Sequence, residues 1–180
     1  MSDTKKKVLI ITYYWPPSGG AGVQRWLKFV KYLPEYGWQP IVVIPENPNY
    51  PSIDSSLEKD IPKETIVHRL PIWEPYDLYR KFLGLSKEHK ISHTLRTEKS
   101  QMSWKQKLSL WIKTNLFIPD PRIFWYVRSR TAVKEIVNQY QIKNIITTGP
   151  PQSVHLFGCY LKKCMPAIKW IADFRDPWTT

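Results

Sequence analysis

The run Val8-Leu9-Ile10-Ile11 leads straight into TYYWPPSGGAGVQRW, residues 12 to 26, in which two prolines are followed by three glycines within four positions. An apolar, β-branched run without polar alternation must be covered on both faces, the condition of a central strand in a parallel sheet. After the glycines, Val23, Trp26, Leu27, Val30 and Leu33 fall on one helical face, with Gln24, Lys28 and Lys31 off it. Gly37 stops that helix, and the stretch from Pro40 to Pro45, PIVVIP, reads as a second buried strand. Residues 8 to 44 therefore form one βαβ unit, and the chain is predicted to be an α/β protein.

The remaining pattern extends that unit. Residues 46 to 64 read as loop, Thr65 to Leu70 as a third strand ending at Pro71, and residues 75 to 85 as a short helix. Residues 86 to 103 are polar without apolar periodicity and read as a mobile insertion. Trp104, Leu108, Trp111, Ile112 and Leu116 make an amphipathic helical stripe that ends at Pro119 and Pro121. A helix from about Ile123 to Tyr140 precedes a strand at Asn144–Thr148, the turn Gly149-Pro150-Pro151, a helix over Gln152–Lys163 and a last strand at Ala167–Ala172. Strands alternating with helices predict a doubly wound, Rossmann-like parallel sheet, whose ligands sit beyond the carboxyl ends of the strands. Three loops converge there: SGGAG, TGPPQSVH and DFRDPW.

The length of 180 residues fits one domain. Lys and Arg number 27 against 15 Asp and Glu, a net charge of +12 that favours anionic partners. From Lys87 to Arg130, ten basic residues against three acidic ones concentrate much of the excess. That segment shows no nucleic-acid-binding motif, and the aromatic residues sit largely at predicted core positions, so nucleic acid is not the expected partner. The stripe from Trp104 to Lys113 suits either packing on the sheet or an anionic membrane surface. Cys159 and Cys164 lie on different helical faces without nearby His and read as free thiols of a reducing cytoplasm. His89 and His93 are four apart but lack a third ligand, so no metal site is predicted. The apolar run after Lys5-Lys6-Lys7 is short and ends in Pro16-Pro17, which favours a strand over a signal peptide.

A glycine turn at a helix N-terminus offers unpaired N–H groups and about half a positive charge, which suits phosphate. Gly20-Ala21-Gly22 matches the first two glycines of a dinucleotide fingerprint, with Glu46 placed as a ribose-binding acid, but Arg25 stands where the third glycine belongs. Arg25 is expected to obstruct close packing of helix on strand there. No Gly-Lys-Ser/Thr ending marks a P-loop. Asp173 and Asp176 flank Phe174-Arg175 and suit acid/base chemistry, the alternative being that Arg175 pairs with Asp173 while Asp176 caps a turn.

Taken in order, YYWPPSGGAGVQRWLKFVKYLPEYGWQPIVV, TTGPPQSVHL and WIADFRDPW resemble the N-terminal Rossmann-like domain of a retaining GT-B glycosyltransferase of glycosyltransferase family 4. The resemblance spans most of the chain and is weakest over residues 46 to 103. It implies a two-domain enzyme that transfers a sugar from a nucleotide-sugar donor to a glycan or lipid-linked acceptor, in bacterial cell-surface polysaccharide or glycolipid synthesis. It also implies that this chain is the acceptor-side domain, inactive alone, with the nucleotide-sugar domain and its Glu-x7-Glu pair outside these residues. Gly19, Gly20 and Gly22 would then stabilise the departing diphosphate, while Arg25, Ser153 and His155 would lie on the acceptor side. Many family members place a His near the last strand end; none occurs here, and either Asp173 or Arg175 takes that place. No cofactor is implied beyond the nucleotide sugar as substrate, and the location implied is cytoplasmic, peripheral at the inner membrane face.

Overall fold

The computed structural model describes residues 5–73 and 118–175. Five strands, β1 (Lys6–Thr12), β2 (Trp38–Glu46), β3 (Ile66–Pro71), β4 (Asn144–Gly149) and β5 (Lys169–Phe174), form one sheet in the order β3-β2-β1-β4-β5. All pairings are parallel. Three helices, α1 (Ala21–Tyr32), α2 (Ile123–Gln139) and α3 (His155–Cys164), flank it. The fold is thus a Rossmann-like α/β sheet whose strand order reverses between β1 and β4, the point beyond whose carboxyl edge such sheets bind their ligands.

Alternation along β1 splits the core into two layers. Ile10 faces α1 with Val42, Ile44, Trp26, Leu27 and Val30, whereas Leu9 and Ile11 face α2 and α3 with Trp125, Val133, Phe157 and Leu161. Each such apolar side chain contributes on the order of 2 kcal/mol by leaving water. Ser129 donates to the carbonyl of Pro71 at 3.0 Å and fastens α2 to the end of β3.

The prolines of β2 fall where the ladder tolerates them. Pro40 pairs only with Val8 of β1, and Pro45 only with Leu70 of β3, so each lies beyond the paired stretch on its other side. β3 runs one residue further than the sequence suggests and includes Pro71, which its position at the sheet edge permits. A larger shift affects β5, which starts at Lys169 rather than Ala167. Lys162 donates to the carbonyls of Pro166 and Ile168, at 2.7 and 2.8 Å, and holds those residues in a turn. Asp173 and Phe174 consequently belong to the strand and not to the loop after it. The helix expected from Gln152 begins as a 3-10 turn over Gln152–Val154 and becomes α-helical at His155.

α3 lies on β5 through Gly158, where a Cβ would overlap the indole of Trp170. Helix propensity alone makes Gly158→Ala stabilising by about 1 kcal/mol. The overlap costs about 1–3 kcal/mol, because Trp170 donates to Thr147 at 2.9 Å and is not free to retreat. A net loss of about 1 kcal/mol in urea unfolding is expected, and a stabilised variant would contradict this packing.

Candidate functional site at the carboxyl edge of the sheet

The glycine loop is braced from below. Gly19 donates to Ser52 at 3.0 Å and Asp54 to Pro17 at 2.7 Å, tying residues 17–19 to the segment after β2. Gly20 has φ +105°, a conformation that L side chains rarely adopt, and turns the chain into α1. That helix has no side-chain cap and no acid in its first turn, and the Ala21 and Gly22 N–H groups make no backbone hydrogen bond among the described residues. Arg175 completes the arrangement. Its guanidinium lies so close over Gly22 that a Cβ there would overlap Nη1, with Cζ 3.2 Å away. A helix N-terminus and a guanidinium therefore share one small volume, the combination that binds a phosphate group.

Asp173 does not pair with Arg175. Its carboxylate accepts from Arg25 and, on Oδ2, from Trp26 Nε1 at 3.0 Å and Thr148 Oγ1 at 2.9 Å. Burial pushes its pKa upward, but hydrogen bonds from Arg25, Thr148 and Trp26 and the Arg25 charge outweigh burial and hold it below the usual carboxylate value. A carboxylate so engaged stays ionised at neutral pH and has no proton to give; geometrically it fastens α1 to β4 and β5. Arg25 likewise departs from expectation. It is exposed and turned toward Asp173 while Val23, Trp26 and Leu27 face the sheet, so it obstructs no helix-on-strand packing.

Beyond β4, Ser153 is buried and donates through its backbone N–H to Asp120 Oδ2 at 2.7 Å and through Oγ to Asp120 Oδ1 at 2.8 Å. Asp120 Oδ1 also accepts from the Arg122 N–H at 2.8 Å. Both donors of Ser153 are therefore engaged by Asp120, which ties its loop to the start of α2. His155 is only 6% exposed, and its ring lies against that of Phe174 with centroids 4.1 Å apart. Burial lowers the His155 pKa and the Asp173 charge only partly opposes it, so the ring is neutral.

The indole N–H of Trp170 donates to Thr147 Oγ1 at 2.9 Å, and the same hydroxyl lies 2.8 Å from His155 Nδ1. His155 Nε2 and Gln152 Oε1 are buried without a hydrogen-bond partner among the described residues, and both face Gly149, where a Cβ would lie 3.0 Å from the first and 2.8 Å from the second. Two unsatisfied polar atoms thus stand near one another at the end of β4.

The structure brings Gly19, Gly20, Gly22, Arg25, Asp173 and Arg175 together at the ends of β1 and β5, with His155 and Ser153 at the end of β4. Asp176, the polar insertion at 86–103, His89, His93 and the stripe 104–113 lie outside the described residues. Sequence reasoning missed Asp120, Gln152, Thr147, Thr148 and Trp26. Only Asp120 carried a signal, since an Asp two residues ahead of a residue that starts a helix commonly accepts from its N–H in an Asx turn, as it does here with Arg122. Among the described residues no three His, Cys, Asp or Glu side chains converge as metal ligands, and no helix is long and apolar enough to cross a membrane. Cys159 and Cys164 are free and exposed.

No protein-family model matches the chain, and no curated protein matches it. Among solved structures it is similar to apo UGT2 of Phytolacca americana, with 15% identity and a TM-score of 0.45 over 96% of this chain and 30% of that one. The same protein complexed with UDP-2fluoro-glucose and pterostilbene gives 17% identity and a TM-score of 0.47 over 97% of this chain and 31% of that one. The chain therefore spans about a third of the length of the structures it matches.

Proposed function

We propose that this chain is the acceptor-side Rossmann-like domain of a GT-B glycosyltransferase of the retaining, family 4 type, moving a sugar from a nucleotide-sugar donor to a glycan or lipid-linked acceptor. One observation carries the reading: the uncapped N-terminus of α1, with the Arg175 guanidinium over Gly22, at the switch point between β1 and β4. Fixed N–H groups placed there favour the charge that develops on a departing diphosphate without reorganising as it forms, and the Arg175 guanidinium adds a charge-assisted contact. His155 Nε2 and Gln152 Oε1, both buried and unpartnered among the described residues, offer hydrogen-bonding positions for one sugar hydroxyl, which can both donate and accept. In this reading Asp173 and Arg25 hold α1 in position, Arg175 contacts the donor, and the nucleotide is held by a second domain outside these residues. Bacterial cell-surface polysaccharide or glycolipid synthesis, at the cytoplasmic face of the inner membrane, is the setting proposed.

The test is a titration of the chain with UDP, followed by backbone amide NMR. UDP is expected to shift the signals of Gly19 to Gly22 and Arg175. Gly22→Ala, which expels the guanidinium, is expected to weaken binding about tenfold, the loss of one charge-assisted contact. Its melting temperature should stay the same or rise slightly, because the displaced group is the far end of an exposed, flexible side chain. Absence of shifts at the glycine loop, or tighter binding of NAD than of UDP at the same residues, would overturn the assignment.

A further inference from the structure

The opposite edge of the sheet holds a cavity, of about 740 Å³, at the amino ends of β1, β2 and β4 and just ahead of β3. It is separated from the glycine loop by the length of β1, about 20 Å for a strand of this size. Lys5, Lys6, Lys7 and Lys143 line it, against one carboxylate, Glu64. Gln39, Gln141, Asn144, Tyr140 and Thr65 also line it, and the Oγ1 of Thr65 is buried without a partner among the described residues.

The bland explanation for these lysines is that they complement the negative ends of helices, and it holds for one of them. Lys7 donates to the carbonyl of Tyr140, just past the end of α2, at 3.1 Å. The charges do not balance on that account. Four ammonium groups face one carboxylate and two helix ends, α1 and α2, each worth about half a negative charge, which leaves an excess of about two positive charges. Lys6 lies 5.8 Å from the centre of the Trp38 ring, so the aromatic wall orients the ammonium without neutralising it. Gln141, at the turn from α2 to β4, has φ +53°, where glycine is the usual residue, and its carboxamide lines the cavity. The cavity carries a surplus of positive charge and several neutral hydrogen-bonding side chains.

We infer that this cavity is a second anion site, built for a phosphate group presented either on a soluble phosphorylated molecule or on a lipid headgroup, and independent of the glycine loop. Lys5, Lys6 and Lys143 supply the charge, while Thr65 and the carboxamides supply neutral donors.

Inorganic pyrophosphate added to the Gly22→Ala chain, which weakens the competing loop, tests it by amide NMR. Shifts are expected at Gln39, Thr65, Lys143 and Asn144. The double variant Lys6→Ala/Lys143→Ala, which leaves the Lys7 contact intact, should weaken binding about twenty-fivefold, roughly fivefold for each lysine. In parallel, cosedimentation with phosphatidylglycerol vesicles and with phosphatidylcholine vesicles identifies the source. Lysine-dependent binding to the anionic vesicles assigns the site to a headgroup, whereas pyrophosphate shifts without vesicle binding assign it to a soluble ligand. No shift at the cavity together with no lysine-dependent vesicle binding, or an affinity unchanged in the double variant, overturns the inference.

Discussion

Asp173→Ala is expected to lower the unfolding free energy by about 3 kcal/mol and to abolish the UDP response of the glycine loop. The estimate rests on what the carboxylate leaves behind. Trp26 and Thr148 are both buried, and each would keep a donor with no acceptor, at about 1–3 kcal/mol apiece. Arg25 adds little, because its side chain is 41% exposed and water replaces the lost partner. The functional effect follows from position, since the same residue ties the first turns of α1 to the ends of β4 and β5. Asp173→Asn should recover part of the stability, as its amide oxygen still accepts, but not the pairing with Arg25.

The pH dependence has a definite sign. The folded pKa of Asp173 lies below its ordinary 3.8, so its contribution is present in full above that value and is lost as pH falls through the folded pKa. Urea midpoints compared between pH 7 and pH 3 should therefore show the wild type losing part of its advantage over Asp173→Ala in acid. A variant as stable as wild type at pH 7 would show that the Asp173 carboxylate is not what fastens α1 to β4 and β5.

Asp120→Ala is expected to cost a similar amount, about 3 kcal/mol, although nothing in the sequence places Asp120 at the site. It accepts from both the N–H and the hydroxyl of Ser153, which is 1% exposed, and from the N–H of Arg122. Alanine strands two buried donors on one residue. Asparagine is not expected to rescue it, because its NH₂ would face donors where the carboxylate offers a second acceptor. Urea unfolding measures the loss, and the NMR signals of the His155 ring should broaden or shift as the loop that carries it loosens. A stable Asp120→Ala chain with an unchanged His155 spectrum would show that the Pro150-Pro151 turn is held by something else.

Both residues show how the site divides between what a chain announces and what it conceals. The glycine loop was legible because its cause is local: an apolar run, two prolines and three glycines fix a strand, a turn and a helix within 25 residues. His155 was legible as a position near the cleft. Its neutral state and its hydrogen bonding were not, because the first depends on burial and the second on Thr147 and, through it, on Trp170, which is 23 residues further along the chain.

By itself the sequence determined the class of fold, the central place of β1, the helix that follows it and the convergence of three loops at one edge. Each follows from hydrophobic periodicity and from residues that start or stop elements, effects that act over a few positions. Only the tertiary structure decided which charges meet. Arg25 finds Asp173 across 148 residues and Arg175 comes to rest over Gly22, pairings set by the order β2-β1-β4-β5. Asp173 stands in register with Thr148 because β5 pairs with β4, a contact 25 residues apart in the chain that no rule acting over a few positions fixes.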